Sequence, residues 1–209
     1  MKKLPGGIYV ITDEHLMARK DFIKKITEAA SAGAGLIQLR EKTSRIRDRL
    51  ALAKEAVKAA HSFGARIIIN DDPWLAAAID ADGVHIGRTD GSVKTARGLL
   101  GHKAIIGVSC YGDIELALRS QKEGADYVSF GACFRSPTKP GEAVVPLSLF
   151  GEAKKRIKIP LVAIGGINRN NAPLVLAAGA DMVSVVSAVF SRARVAIAIK
   201  EFHIKGENK

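Results

Sequence analysis

Eight short apolar runs, each rich in isoleucine or valine and each followed by a stretch of helical periodicity, constrain this fold more than any other feature. They fall at 8–12, 36–40, 66–70, 83–86, 104–108, 127–130, 161–164 and 182–186. Runs this short and this apolar suit parallel strands buried on both faces. Between them the spacing turns helical. After Lys42, the residues Ile46, Leu50, Ala53, Val57 and Ala60 mark one apolar stripe, with Arg47, Asp48, Lys54, Glu55 and Lys58 on the other side. The helix-to-strand joints also repeat, as Ala32-Gly33-Ala34-Gly35, Asp80-Ala81-Asp82-Gly83, Gly124-Ala125-Asp126 and Gly179-Ala180-Asp181. Glycine at such a joint ends a helix by accepting a left-handed backbone. Strand, helix and joint in regular alternation spell βα units. A doubly wound open sheet would use the same alternation. The strand count, and the absence of Gly-x-Gly-x-x-Gly after the first strand, favour a TIM (βα)8 barrel formed by residues 1–209 as one domain.

Composition removes several function classes. The net charge of +11 invites a nucleic-acid partner, but the basic residues are scattered and aromatic residues make up only 5%. A solvated basic surface that favours anionic small molecules is the simpler reading. No apolar run is long enough to span a bilayer, and the first residues lack the apolar segment of a signal peptide, so a cytoplasmic location is expected. Two cysteines, Cys110 and Cys133, are too few for a disulfide framework and lack metal-ligand spacing. They read as small buried hydrophobes.

In a barrel of this kind the chemistry sits where strands end, so the polar residues there are the ones to weigh. Gln38, Arg40 and Lys42 alternate along one strand end and share a face. A guanidinium fork and a mobile ammonium together suit phosphate oxygens. The plainer reading is a solvated charge cluster, but two inward cations are costly without an anion. Asn70 and Asp71 end the third strand and Asp90 follows the fourth. Two carboxylates with an amide make a hard-oxygen site suited to Mg2+. Helix capping by Asp71, Asp72 or Asp90 is the structural alternative.

Ser109 ends the fifth strand, as a phosphate contact or as a cap. Ser136, Thr138 and Lys139 follow the sixth in a loop stiffened by two prolines, which suits a lid over an anion. Gly166, in a Gly-Gly pair after the seventh strand, and Val186-Ser187, after the eighth, stand where such barrels commonly hold phosphate. His85 lies within the fourth strand and reads as a satisfied core or supporting histidine rather than a catalytic one.

Taken together, Gln38-x-Arg40-x-Lys42, Asn70-Asp71, Asp90, Ser109, Ser136-x-Thr138-Lys139, Gly166 and Val186-Ser187 resemble the thiamine phosphate synthase family over nearly the whole chain. The resemblance implies joining of hydroxymethylpyrimidine diphosphate to a thiazole phosphate, with release of pyrophosphate. It implies that Gln38, Arg40, Lys42, Asn70, Ser109 and Lys139 hold the pyrimidine diphosphate, and that Asp71 and Asp90 hold magnesium. Ser136, Thr138, Gly166, Val186 and Ser187 would hold the thiazole phosphate. Arg40, Lys42, Ser109 and Lys139 are the expected catalytic set. Partners would be small phosphorylated molecules, not nucleic acid or membrane, with a homodimer left open.

Three positions depart from the family pattern. Arg88 stands where glutamine is usual, Arg135 where proline is usual, and Ser136 where threonine is usual. A TenI-like thiazole tautomerase is the alternative on the same barrel. Those relatives tend to lose the metal carboxylates and use a histidine after the sixth strand, where this chain has Ala132. A phosphate-binding barrel without catalysis is the rival from another class.

Overall fold

The computed structural model describes Leu4, residues 8–135 and residues 143–202. Eight parallel strands close into a barrel in sequence order, β1 Ile8–Ile11, β2 Ala34–Leu39, β3 Arg66–Asn70, β4 Gly83–Ile86, β5 Ile105–Tyr111, β6 Tyr127–Phe130, β7 Leu161–Ala163 and β8 Met182–Val185. Helices follow the strands, as α1 Phe22–Ser31, α2 Ile46–His61, α3 Pro73–Ala78, α4 Val93–Leu100, α5 Ile114–Lys122, α6 Ser148–Arg156, α7 Ala172–Ala177, the four-residue α8 Ser187–Phe190, and α9 Val195–Lys200. All eight expected strands are present, and closure settles the choice between barrel and open sheet. The fifth strand runs further than expected, through a bulge between Ser109 and Tyr111 that throws Tyr111 into a left-handed backbone at φ 57°.

Alternation along each strand divides the apolar residues into two layers. Leu36, Ile68, Ile105, Val162 and Met182 fill the barrel with Tyr9 and Tyr127. Ile37, Leu39, Ile67, Ile69, Val84 and Ile106 face outward and pack beneath the helices. The expected stripe on α2 is rotated. Ala53 and Ala60 are buried as read, but Leu52 and Ala56 join them, Leu50 and Val57 lie at the margin, and Ile46 is 63% exposed. Three alanines and Leu52 seat this helix on the sheet.

The joints carry more than turn-forming glycine. Asp82, Asp126 and Asp181 each accept the backbone N–H near the start of the preceding strand, from Ile67 at 2.8 Å, Ile106 at 2.8 Å and Leu161 at 2.7 Å. Each also takes a basic side chain from the end of an earlier helix, respectively His61, Arg97 and Lys154. Three like latches therefore tie helix ends to strand starts on the face opposite the strand C-termini. Conserving packing at that end leaves the other end free for chemistry.

Candidate active site

Where strands end, helix starts must be satisfied first, and the caps show which acids are spoken for. Asp72 caps α3 by accepting Leu75 N–H at 2.8 Å, Ser92 caps α4, and Asp113 caps α5. Asp71, Asp90 and Ser109 do none of this capping. The structural alternative thus applies to their neighbours.

Asp71 sits immediately after β3 in a left-handed backbone, φ 65°, which aspartate and asparagine tolerate better than most residues. Its carboxylate pairs with Lys42 at 2.6 Å, and Asn70 and Asp90 stand close enough to act on its charge. Burial pushes Asp71 upward, but the Lys42 ammonium and the surrounding hydrogen bonds outweigh it and hold the group below the usual carboxylate range. Asp90 goes the other way. Burial raises it, and so does the neighbouring Asp71 charge, against the N–H of Gly87 that it accepts at 2.8 Å. Two acids are held close enough for one charge to suppress the other.

That pairing bears on a metal. A dication would relieve the crowding, and the donor set of two carboxylates and an amide fits Mg2+, which completes its shell with water and substrate phosphate. Among the described residues no group of three or more His, Cys, Asp or Glu converges on one point.

The second strand delivers the cations, though not as unpaired charges. Gln38 is buried inside the barrel, while β2 stops at Leu39 and places Arg40 and Lys42 on the loop beyond. Thr12, at the end of β1, fastens that loop by accepting Arg40 N–H at 2.9 Å and donating to the Arg40 carbonyl at 2.9 Å. Arg40 reaches Asp13 at 3.3 Å and Glu14 at 3.1 Å. Both cations that seemed to require an external anion therefore have a protein carboxylate, Asp13 and Glu14 for one and Asp71 for the other. Sequence reasoning missed Thr12, Asp13 and Glu14. The signal was available, since they end a strand like the residues that were singled out.

Glu41, 5% exposed, turns back to accept from Thr43 and Ser44, and these bonds overcome the upward push of burial and hold it below the carboxylate range. It shapes the turn on which Lys42 stands. Beside Lys42, Asn70 and Asp71 lies a cavity of about 320 Å³, walled on its far side by Arg49, Asp72 and Leu75.

The opposite rim is built from β5 to β8. Ser109 is half-buried on β5, beside Ser129 of β6. Gly165 and Gly166 both have left-handed backbones, and added side chains would lie 2.5 Å from Ala132 and 2.7 Å from the carbonyls of Phe134 and Arg135. The glycine pair fits tightly against the loop after β6. No helix starts next to Gly166, because α7 begins only at Ala172 after a turn stitched by Asn168 and Asn171. Val186 and Ser187 do open a helix, the short α8. Ser136, Thr138 and Lys139 lie outside the described residues.

Arg88 is exposed at the mouth, its guanidinium 4.8 Å above the Tyr111 ring. Tyr111 Oη in turn lies 3.7 Å from the position a side chain on Gly87 would take, next to Asp90. Arg88, one of the three departures from the family pattern, thus rests on the ring whose hydroxyl borders the space next to Asp90. His85 is neutral at physiological pH, lowered to about 4 by burial against the opposing pull of Asp71, in keeping with a supporting role.

The comparisons with known proteins name one family. The family described as Thiamine monophosphate synthase matches residues 8–189. The chain is 46% identical over 184 residues to the thiamine-phosphate synthase of Nitrosococcus oceani, covering 88% of this chain and 85% of that protein. It is 46% identical over 196 residues to that of Methylococcus capsulatus, covering 93% and 87%. Among solved structures, thiamine phosphate pyrophosphorylase from Pyrococcus furiosus superposes with a TM-score of 0.83 at 35% identity, covering 94% of this chain and 93% of that one. Family match, sequence identity and barrel geometry point the same way: this chain belongs to the thiamine monophosphate synthase family.

Proposed function

We infer that this chain is a transferase of thiamine biosynthesis that joins hydroxymethylpyrimidine diphosphate to a thiazole phosphate, giving thiamine phosphate and pyrophosphate. The observation that carries the reading is the pairing of Lys42 with Asp71, close by Asn70 and Asp90, at the ends of adjacent strands. A diphosphate with its counterion needs cations and metal-binding acids in one place. The acidic pair also argues against the tautomerase, as does Ala132, buried where a histidine would be needed.

In this proposal Gln38 orients the pyrimidine from inside the barrel, and Asn70 and Ser109 fix the diphosphate end. Lys42 exchanges Asp71 for a phosphate oxygen, and Arg40 turns from Asp13 and Glu14 to the same group. The bond between the methylene carbon and the diphosphate oxygen breaks with its electron pair leaving on pyrophosphate. The aminopyrimidine ring stabilises the methylene cation. With the thiazole's phosphate held by Gly166, Val186 and Ser187 together with Ser136 and Thr138, the ring nitrogen donates its lone pair to form the new C–N bond. Arg40, Lys42 and Lys139 stabilise the charge that develops on the leaving group, so positioning and electrostatics suffice without a protein nucleophile. Magnesium, when bound by Asp71 and Asp90, supplies Lewis-acid stabilisation of that same leaving group. A cytoplasmic setting is part of the reading. Both cysteines are free and buried, as suits a reducing compartment, and among the described residues no helix is long and apolar enough to cross a membrane.

Purified protein with both substrates and magnesium is expected to release one pyrophosphate per thiamine phosphate. Arg40→Ala should lower kcat/KM by roughly 10²- to 10³-fold, the usual loss on removing one charge-stabilising donor. Chelation of the metal should abolish turnover while leaving the thermal unfolding midpoint within a degree or two, because the barrel core does not depend on it. Wild-type protein that made no product but interconverted thiazole tautomers would replace the synthase with the tautomerase.

A further inference from the structure

Four side chains from four strands form one hydrogen-bonded line across the barrel interior. Gln38 Nε2 donates to Tyr9 Oη at 2.5 Å, Tyr9 Oη lies 2.8 Å from Tyr127 Oη, and Tyr127 Oη lies 2.9 Å from His85 Nδ1. Both tyrosines are fully buried and meet edge to face at 5.9 Å, while the His85 ring stacks on Tyr127 at 5.5 Å. The last link spans a strand, because β4 and β6 are separated by β5. His85, Gly107 and Tyr127 share one register line, and a side chain at Gly107 would come within 2.0 Å of Tyr127 Cζ and 2.3 Å of its hydroxyl. Glycine at 107 is the gap through which Tyr127 reaches His85.

Counting protons gives the line a direction. Each phenol has one hydrogen, and Tyr9 already receives a bond from the Gln38 amide. If Tyr127 also donated to Tyr9, the Tyr9 hydrogen would be left buried without an acceptor, which is costly. Tyr9 therefore donates to Tyr127, and Tyr127 donates to His85 Nδ1. A neutral His85 then carries its hydrogen on Nε2. Reversing any link would require the Gln38 amide to turn over.

We infer that Tyr9, Tyr127 and His85 are positioning residues for Gln38, a one-way relay that pins its amide nitrogen inward and leaves its carbonyl oxygen as the group offered to a ligand. A carbonyl oxygen selects a ring edge bearing an N–H donor, so the relay sets a preference for an amino over an oxo substituent on a pyrimidine. That preference rests on the reading that Gln38 contacts the pyrimidine. The tautomer of His85 does not.

Two measurements separate these levels. Nitrogen NMR of the wild-type protein labelled at histidine should show His85 with a bare Nδ1 and a protonated Nε2; a hydrogen on Nδ1 overturns the relay and needs no variant. Competitive inhibition by aminopyrimidine and oxopyrimidine methyl phosphates should favour the amino compound in wild type. Tyr127→Phe, or Tyr9→Phe if that variant does not fold, should shrink the ratio of inhibition constants by roughly tenfold. In a Gln38→Ala background the second substitution should change the ratio no further. An unchanged ratio in Tyr127→Phe, or additive losses in the double variant, overturns the positioning role. An unchanged ratio in Gln38→Ala alone overturns the pyrimidine contact, while the NMR result still decides the relay.

Discussion

Asp71→Asn is expected to reduce turnover by roughly 10²- to 10³-fold while costing under about 1 kcal/mol of stability, since its pairing with Lys42 is half exposed. The substitution keeps the shape of the side chain and suits the left-handed backbone at this position, which asparagine accepts readily. What it removes is charge. Lys42 loses its partner at 2.6 Å, and Asp90, freed from a like-charged neighbour that raises it, is left to hold magnesium alone. Steady-state rates at increasing magnesium, with a thermal melt of the same sample, read both halves of the expectation. The neighbouring Asp72→Ala should do the reverse. It deletes the cap of α3 and the partner of Arg49, so it should cost about 1–2 kcal/mol of stability with turnover nearly unchanged. Should Asp71→Asn turn over normally, the acidic pair would have no part in the chemistry.

The largest stability effect is expected far from that site, at Asp126→Ala. This carboxylate accepts from Ile106 N–H and pairs with Arg97, whose side chain is 17% exposed and also donates to the carbonyls of Gly101, Ala104 and Gly124. Removing the acid leaves a strand N–H without that acceptor and a largely buried guanidinium without its charge partner. About 3 kcal/mol should be lost, which in a chain of this size lowers the unfolding midpoint by roughly 6–12 °C. Asp181→Ala should cost less, since Lys154 is 40% exposed and can turn to water. Calorimetry of the two variants tests the order. Activity below the melting range should be untouched in both, because these latches lie at the end of the barrel away from the candidate site.

How much of this was legible in the sequence differs sharply between layers. Strands buried on both faces leave an uninterrupted apolar record, so 66–70, 83–86 and 127–130 read off with their observed ends. Strand ends also drew attention to the acids and cations, because this architecture gathers its polar side chains at that rim. Other features left no local trace. The bulge that extends β5 depends on pairing with β6, and the face that α2 buries depends on the sheet beneath it. Tyr9 and Tyr127 are 118 positions apart and each looks like an ordinary core aromatic until closure brings the hydroxyls together. Asp13 and Glu14 stand at a strand end where they could have been singled out, but their partner, Arg40, arrives from the next strand and only closure shows the pairing. Spacing along a chain reports what a residue does for its own element, not what it meets across the barrel.

The ladders around the barrel are uneven, and this divides the site mechanically. β2 is joined by four registered residue pairs to β1 and four to β3, whereas β8 has two to β7 and two to β1. The wall carrying Gln38 and Asn70 is therefore expected to be the stiffer, and the wall leading into Val186 and Ser187 the more compliant. Amide hydrogens of β8 should exchange with solvent well before those of β2 and β3. An enzyme that must grip one partner in a fixed pose while admitting a second and letting a larger product go has use for one rigid jaw and one that gives.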